Sequence, residues 1–552
     1  MKANFGAATG SSIVSIVRAI NAVISILLIK WIEKEKIGKN LIYLDEINDI
    51  VRVKKNFNFV NHSVTCNRLL LSVLAAILYL GGLMPALQLD PMQQAYAQTY
   101  RNIINLSNVV PFAADPHIAI SGNKVYVVWT EAITGGSPSA GGKNSDIFFS
   151  KSTDNGASFS NPVGLTNYKP GIKQEPKIAI SGKNLYIMWS DYSLGTAEIF
   201  FTKSTDNGTR FSSPLALGTS FGAVGETRLA GYANNVYVMW IGSANNVDAG
   251  AVLFKASTDN GGSFGNTISL SNKGIASKPE MSLAGNSVYV VWYNTTLQAS
   301  GNVVDDEILF AKSTNSGAHF SSPINISNNP NSFSARPQVA ASGRNVYVAW
   351  FESGPSHSLN IANTYFARSI DAGVTFSTPI KLSNNGPANN YYNFTSDTPK
   401  IAFSNISNND NVYVIWTYVS SSPSSTPQNT DVFFSRSIDA GVTFSSPFNI
   451  SNNPGLSGDA SMIVSTNPKN IHADEVNVMW LDDAGGKSGE RNIFFSQSTD
   501  NGASFGNAIN ISNTQGSSLL SQMAMSGNNL YLTWAEFNSG SYAILFRVVS
   551  LS

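Results

Sequence analysis

The chain has 552 residues, of which only 13% are charged, and its 35 basic side chains balance its 35 acidic ones. A nucleic-acid partner is not expected, because binding a polyanion requires a basic surface. The length exceeds what one ordinary core serves, and closed repeat folds are the usual exception to that limit. The single cysteine, Cys66, rules out a disulfide framework.

Two apolar segments near the N-terminus predict export of everything that follows them. Residues 69–88 form an apolar run that Arg68 precedes and the small-x-small site at residues 95–97 follows, which are the three parts of a secretory signal. Residues 13–30 form a possible membrane segment, and the basic residues after it would hold the intervening loop inside. Two alternatives remain open: a start codon assigned too far upstream, and an amphipathic helix over 13–31.

We therefore expect three parts: an extension over 1–68, a signal peptide or membrane anchor over 69–97, and an extracellular domain over 98–552. That domain would be secreted or tethered to the cell membrane. Asn-x-Ser/Thr triplets in the domain favour export weakly, since they arise often in Asn- and Ser-rich sequence.

Eight strand-like segments end in nearly the same phrase, in which β-branched and aromatic residues alternate up to a tryptophan. These tryptophans are Trp129, Trp189, Trp240, Trp292, Trp350, Trp416, Trp480 and Trp534. Their spacing of 51 to 66 residues suits one small antiparallel sheet per repeat. Within residues 115–166 the pattern of strands and turns predicts a four-stranded meander.

A second phrase, Ser-x-Asp-x-Gly-x-x-Phe, follows the third predicted strand of seven repeats. Its central residues are Asp154, Asp206, Asp259, Asn315, Asp371, Asp439 and Asp500. The Asp can accept hydrogen bonds from the amides of its own turn, Gly can adopt positive φ, and Phe can bury its ring under the hairpin. Such turns are better interpreted as folding signals than as seven active sites, and they lack the ligand spacing of an EF-hand.

This phrase resembles the Asp box, or BNR repeat, and the chain over about residues 102–550 resembles the Asp-box β-propellers of the sialidase-like superfamily. The resemblance implies an all-β propeller of four-stranded antiparallel blades. The repeats predict eight blades, with seven as the alternative if the weakest repeat, around residues 456–480, is irregular. The last repeat lacks a fourth strand, and Asn102–Asn108 resembles the missing one, so we expect the N-terminal strand to close the ring.

In a propeller, the loop before each first strand and the loop after each second strand open on one face, and the Asp boxes lie on the other. Candidate ligand-binding residues near the first strands are Asp115, Glu175, Glu226, Arg228, Lys278 and Arg336. Those two positions after a tryptophan are Glu131, Asp191, Glu352, Asp482 and Glu536, and one long loop adds Tyr391, Tyr392 and Asp397. Each carboxylate could instead cap a loop amide or pair with a neighbour.

A sialidase holds its substrate carboxylate with three arginines, attacks with a Tyr activated by a Glu, and uses an Asp as acid/base. The chain has no Arg-Ile/Leu-Pro motif, and only Arg228 and Arg336 are well placed. We expect a monomeric propeller that binds a glycan or a surface protein, without a complete catalytic apparatus. The alternatives are a sialidase-like glycoside hydrolase with an atypical site and a structural envelope component. No cofactor is expected, and the scattered histidines do not predict a metal site.

Overall fold

The computed structural model describes residues 99–551, apart from 108–111, 133–143, 167–170, 194–196, 220–225, 245–247, 272–273, 298–302, 330–331, 354–362, 384–398, 407–408, 420–428, 468–469 and 484–489. All of them belong to one compact unit, Met92–Ser552. The predicted segments before residue 98, together with Tyr391, Tyr392 and Asp397, lie outside the described residues. No helix among the residues described is long and apolar enough to cross a membrane.

The described secondary structure consists of β-strands in antiparallel meanders, each of which carries one of the predicted tryptophan strands second in order. The strands are β1 (Thr99–Tyr100), β2 (Ile104–Asn105), β3 (Ala113–Ser121), β4 (Lys124–Ala132), β5 (Ser145–Ser152), β6 (Val163–Gly164), β7 (Lys173–Ser181), β8 (Asn184–Asp191), β9 (Glu198–Ser204), β10 (Leu215–Thr219), β11 (Arg228–Tyr232), β12 (Asn235–Ala244), β13 (Asp248–Ser257), β14 (Ile268–Ser269), β15 (Ile275–Ala284), β16 (Ser287–Leu297), β17 (Val303–Ser313), β18 (Ile324–Asn325), β19 (Phe333–Ser342), β20 (Asn345–Ser353), β21 (Asn363–Ser369), β22 (Ile380–Lys381), β23 (Lys400–Ile406), β24 (Asn409–Val419), β25 (Thr430–Ser437), β26 (Phe448–Asn449), β27 (Ser457–Asn467), β28 (Asn470–Asp482), β29 (Asn492–Ser498), β30 (Ile509–Asn510), β31 (Ser517–Ser526), β32 (Asn529–Asn538) and β33 (Ser541–Ser550).

The strands pair in sequence order within each meander, for example β3–β4–β5–β6 and β7–β8–β9–β10. One parallel contact, between β17 and β19, joins two meanders into a single eight-stranded sheet. The region that matched the repeat least well, residues 456–480, still forms a hairpin of β27 and β28, with a second irregularity of register near its turn, between Thr466 and Asn467. This architecture is that of an all-β propeller-type fold.

The second strand of each meander is buried on both faces, because the neighbouring sheets cover it from either side. All eight repeat tryptophans are at most 1% exposed. Each sheet pair has its own apolar cluster; one of them brings Tyr126 and Phe149 of one sheet against Ile187 and Trp189 of the next. Burial between sheets explains why these strands combine aromatic and β-branched residues on both sides.

The first strands contact one another in sequence order from β3 to β31, and β31 contacts β3 in turn. The predicted closing strand is confirmed, because β2 pairs antiparallel with β33 through Ile104 and Phe546. A second short strand, β1, extends this pairing at Tyr100 and Val549. The last sheet thus takes its outer strands from the start of the domain, which leaves no long unpaired edge there.

The repeated Ser-x-Asp-x-Gly turns, called the aspartate turns below, have the predicted hydrogen bonds. In the first of them, Asp154 Oδ1 accepts hydrogen bonds from Ser152 Oγ at 2.6 Å and from the amides of Ala157 and Ser158 at 3.0 Å. Hydrogen bonds from Ser152 and Ser158 hold the pKa of Asp154 below its usual value. Gly156 has a φ of 74°, in the left-handed region that favours glycine.

Each aspartate turn also packs against the preceding sheet. A Cβ placed on Gly441 would lie 2.7 Å from the ring of Phe366, a residue of the preceding sheet. Phe444, at the end of the same turn, packs edge-to-face on Phe366 with ring centroids 4.7 Å apart. The predicted Phe therefore buries its ring between two sheets rather than only beneath its own hairpin.

Candidate functional site

The sheets have two chemically different ends. The turn end holds the aspartate turns and the hairpins between first and second strands, whereas the loop end holds the starts of the first strands and the residues after each tryptophan. The registers Ser121↔Lys124 and Val125↔Ser152 define the turn end of the β3 sheet, and Ala113↔Glu131 defines its loop end. The predicted separation of turns and candidate site residues is therefore present in the fold.

The first strands contain a repeated bulge at the predicted candidate positions. Asp115, Glu175, Lys278 and Arg336 all have φ between 49° and 55°, and the pairing register shifts beside each of them. A proline follows each of the four. A positive φ in a side-chain-bearing residue is unusual, and bulges of this kind re-aim side chains near the rims of closed sheets.

Two residues beyond each of these four bulge residues lies a polar side chain, and the first strands β11 and β23 carry Arg228 and Lys400 at the equivalent place. Of these residues, only Arg228 was predicted from the sequence. These half-buried residues form what we call the inner ring: His117, Lys177, Arg228, Glu280, Gln338 and Lys400. They come from six consecutive first strands, which contact one another in order. A fixed polar position in otherwise apolar strands was the signal that could have identified them.

Glu280 binds two other members of the inner ring, Arg228 and Gln338. Its carboxylate accepts two hydrogen bonds from the guanidinium of Arg228, at 2.7 and 2.5 Å, and one from Gln338 Nε2 at 2.8 Å. Burial acts to raise the pKa of Glu280, but Arg228 outweighs it and the net pKa is lowered, with Lys400 contributing in the same direction. One carboxylate thus accepts hydrogen bonds from two neighbouring meanders and feels the charge of a third.

Two acidic groups, Asp115 and Glu175, lie beside the inner ring on the two first strands that precede the strand of Arg228. Burial, together with the charge of Asp115, raises the pKa of Glu175 to about 7 against the attraction of Lys177 and Lys278. The pKa of Asp115 is also raised, mainly by burial. Glu175 Oε2 is buried and has no hydrogen-bond partner among the described residues. A carboxyl that titrates near neutrality in a cleft is a recognised mark of a functional site.

The neighbouring groups explain how His117 stays neutral. Burial, with the positive charges of Lys177 and Arg228, lowers the pKa of His117 to about 3. The amide of Ile178 in the next sheet donates a long hydrogen bond, 3.5 Å, to His117 Nδ1. An uncharged imidazole can both accept and donate hydrogen bonds at this position.

Above the ring, Glu226 and Lys278 form an ion pair with Nζ and Oε1 3.5 Å apart. Tyr293, directly after a repeat tryptophan, lies close enough to Glu226 and Arg336 to feel both charges. Burial raises the pKa of Tyr293, so the phenol keeps its proton near neutral pH. The predicted candidate Arg336 therefore lies near Tyr293, whereas Arg228 forms an ion pair with Glu280 and also feels the charge of Glu226.

Four of the five candidates two residues after a tryptophan have a different environment. The side chains of Glu131, Glu352, Asp482 and Glu536 are buried, and each accepts a hydrogen bond from the indole N–H of its own tryptophan at 2.8 to 3.2 Å. Asp482 also accepts hydrogen bonds from Asn453 and Ser457 of the preceding loop and strand. These hydrogen bonds give the carboxylates a structural role, but the donor they share is the indole of the preceding tryptophan rather than a loop amide or a charged neighbour.

The fifth candidate of this set, Asp191, is half-buried and accepts a hydrogen bond from the amide of Ser193 at 2.8 Å, within its own loop. The structure thus brings the first-strand candidates within reach of one another's charges, whereas the Trp-x-acid carboxylates bind their own tryptophans and loops. Within the described ranges, no group of three or more His, Cys, Asp or Glu side chains is arranged to hold a metal ion.

Comparisons with known proteins give matches in structure alone. No family model matches the chain, and no curated protein matches its sequence. A crystal structure of the polysaccharide lyase Uly1 is similar with a TM-score of 0.43 and 9% identity, covering 68% of this chain and 89% of that one. A protein of unknown function from Dyadobacter fermentans gives 0.38 and 11%, covering 82% and 99%. The sialidase of Trypanosoma rangeli in complex with sialic acid gives 0.35 and 10%, covering 82% and 59%.

Proposed function

We propose that this chain is an exported, monomeric, eight-bladed Asp-box propeller that binds a glycan at its loop end. The observation that carries the proposal is the inner ring with Glu175: six meanders place His, Lys, Arg, Glu and Gln side chains at the same half-buried position. Repeats that serve only the fold keep the same residue, as the aspartate turns do. A site with variable residues at one fixed place suits recognition of an asymmetric ligand.

The chemistry of the ring favours a polyhydroxylated ligand. Cationic donors such as Lys177 lie close to acceptors such as Glu175, and Gln338 and neutral His117 can act as both donor and acceptor. Sugar hydroxyls also both donate and accept hydrogen bonds. Eight blades are supported by the order of first-strand contacts from β3 round to β31, and the Asp-box assignment by the hydrogen bonds of the turns.

A glycan array probed with the full chain tests the proposal. We expect saturable binding that falls at least tenfold in Arg336→Ala and Lys400→Ala, and that is unchanged in Lys183→Ala, an exposed cation at the turn end. Equal binding by all three variants would reject the loop-end site. Binding to a surface protein but to no glycan would show that the ligand is a protein. No binding at all would favour a structural envelope component.

A second candidate is a sialidase-like glycoside hydrolase. The proximity of Tyr293, Glu226 and Arg336 favours it. The carboxyl of Glu175, with its pKa of about 7, has the titration expected of a general acid. Against it, the pKa of Tyr293 is raised, whereas a nucleophilic phenol requires activation. Hydrolysis of a fluorogenic sialoside, abolished in Tyr293→Phe and in Glu175→Gln, would establish this candidate; no turnover above buffer would eliminate it.

A further inference from the structure

Two neighbouring aspartate turns differ from all the others in their exposed residues. Five turns have Thr or another small or polar residue at the second and sixth positions, as in Thr153 and Ala157. The turns that follow β21 and β25 instead have isoleucine and valine there: Ile370, Val374, Ile438 and Val442. We call these four side chains the aliphatic patch.

The aliphatic patch is turned to solvent. Ile370 is 62% exposed, Val374 61%, Ile438 58% and Val442 50%. The two turns are adjacent in the fold, since Arg368, just before the first turn, donates a hydrogen bond to the carbonyl of Ala440 in the second. Nothing in the hydrogen bonding of the turns requires aliphatic residues, because the other turns make the same bonds with threonine and alanine.

Basic side chains border the patch. Lys312 Nζ donates a hydrogen bond to the carbonyl of Ala372 at 2.7 Å. The exposed Arg344 lies beside the same turn, because its backbone carbonyl accepts a hydrogen bond from the amide of Ala372. Arg368 and Arg436 extend this border to the second and the following turn. The turn carboxylates accept hydrogen bonds from their own turns. Burial of apolar side chains at the headgroup boundary and attraction of basic groups to anionic lipids are the two contributions that hold a peripheral surface on a membrane.

The place where the chain enters the domain also favours a lipid surface as the partner of the patch. Thr99 pairs with Ser550, and Ser550 pairs with Asn529 in a hairpin of the turn end, so the chain enters the domain at the turn end. Residues 89–98 alone separate this point from the apolar run at 69–88, and ten residues span at most about 35 Å. An anchor in that run would therefore keep the turn end close to the bilayer.

We propose that the aliphatic patch inserts shallowly into a lipid surface that contains anionic headgroups, with the loop end left facing away from it. Four side chains are far fewer than the roughly 20–30 residues a side of a stable protein interface, which disfavours a second copy as the occupant. The proposal rests on the export assigned under the proposed function but not on glycan binding.

An environment-sensitive fluorophore tests the insertion directly. In the full chain carrying Cys66→Ser, a nitrobenzoxadiazole label on Val374→Cys is compared with the same label on Ala157→Cys, the equivalent position of an aspartate turn without the patch. We expect a blue shift and quenching by nitroxide-labelled lipid at residue 374, in phosphatidylcholine vesicles containing phosphatidylglycerol, and several-fold less at residue 157. Equal responses at both positions, or none at residue 374, would overturn the proposal.

Variants that exchange residues between the turns provide the control for folding. Ile370→Thr, Ile438→Thr and Val442→Ala give these turns the residues of the others, and should abolish the response of the label at residue 374. Flotation of the same variant on vesicles reports whether residues 69–88 anchor the chain, so failure of the anchor and failure of the patch are distinguishable. A blue shift that grows with protein concentration without vesicles would assign the patch to a second copy instead.

Discussion

At the turn end, seven turns repeat similar hydrogen bonds and one glycine-on-phenylalanine contact between sheets, whereas the equivalent inner-ring positions at the loop end carry five different residue types. The turn end is where the sheets are fastened, so substitutions there should cost stability. The inner ring at the loop end carries charges that no packing rule requires, so substitutions there should cost binding. The Trp-x-acid residues lie at the loop end, but their hydrogen bonds are structural, like those of the aspartate turns.

The largest loss of stability is expected at one of these buried acids, Asp482. It is fully buried and accepts hydrogen bonds from Trp480 Nε1 at 2.8 Å, Asn453 Nδ2 at 2.6 Å and Ser457 Oγ at 2.8 Å. Asp482→Ala leaves three donors unpaired and should lower the free energy of unfolding by about 3–5 kcal/mol. Denaturant unfolding measures this loss, with Asp482→Asn as the milder control. A loss below about 1 kcal/mol would return this position to the ligand-binding candidates.

A smaller effect is expected at the turn glycines that contact a neighbouring sheet. Gly441 has a φ of 78° and would place a Cβ 2.7 Å from Phe366, whereas Gly343 has a φ of 56° and nothing within 4 Å. Gly343→Ala should cost about 1 kcal/mol from backbone strain alone, and Gly441→Ala about 2–3 kcal/mol because the ring must also move. Equal midpoints of thermal unfolding for the two variants would show that the contact between sheets adds nothing.

Glu175, beside the inner ring, should make stability depend on pH. The pKa of Glu175 is raised from 4.5 to about 7, so the folded state favours the neutral carboxyl. This contribution is fully present below the unfolded pKa and is lost as the pH rises through about 7. Between pH 5 and pH 8, wild type should therefore lose roughly 1–3 kcal/mol relative to Glu175→Gln. Parallel pH profiles of the two proteins would contradict the raised pKa.

Most of the turn end could be predicted from the sequence, because the Ser-x-Asp-x-Gly-x-x-Phe motif recurs and each of its residues has one local structural role. The asparagine at position 315, in place of aspartate, still accepts the expected hydrogen bonds from Ser313 Oγ and the amide of His319. The closing strand at Ile104 was predictable for the same reason, since it repeats the sequence of other fourth strands.

The candidate site was less predictable, because its geometry depends on contacts between sheets. The bulges at Asp115 and Glu175 were selected as charged positions, but their positive φ and the change of side-chain direction do not follow from local sequence. The partners of Glu280 come from sheets that lie 52 and 58 residues away in the chain. No periodicity within one repeat predicts which charges will meet across the ring.

The smallest stability change should occur at the half-buried turn residue Asp500, where the same turn tolerates an amide elsewhere in the chain. Asp500 Oδ1 accepts hydrogen bonds from Ser498 Oγ at 2.6 Å and from the amide of Ser504 at 3.0 Å. Asp500→Ala should cost about 1 kcal/mol because both donors turn to water, and Asp500→Asn less than half of that, because Asn315 shows that an amide oxygen fits the same place. Glycan binding should not change in either variant, since the substitution lies at the opposite end of its sheet from the inner ring. A loss of binding without a loss of stability would mean that the two ends of the sheets are not functionally separate.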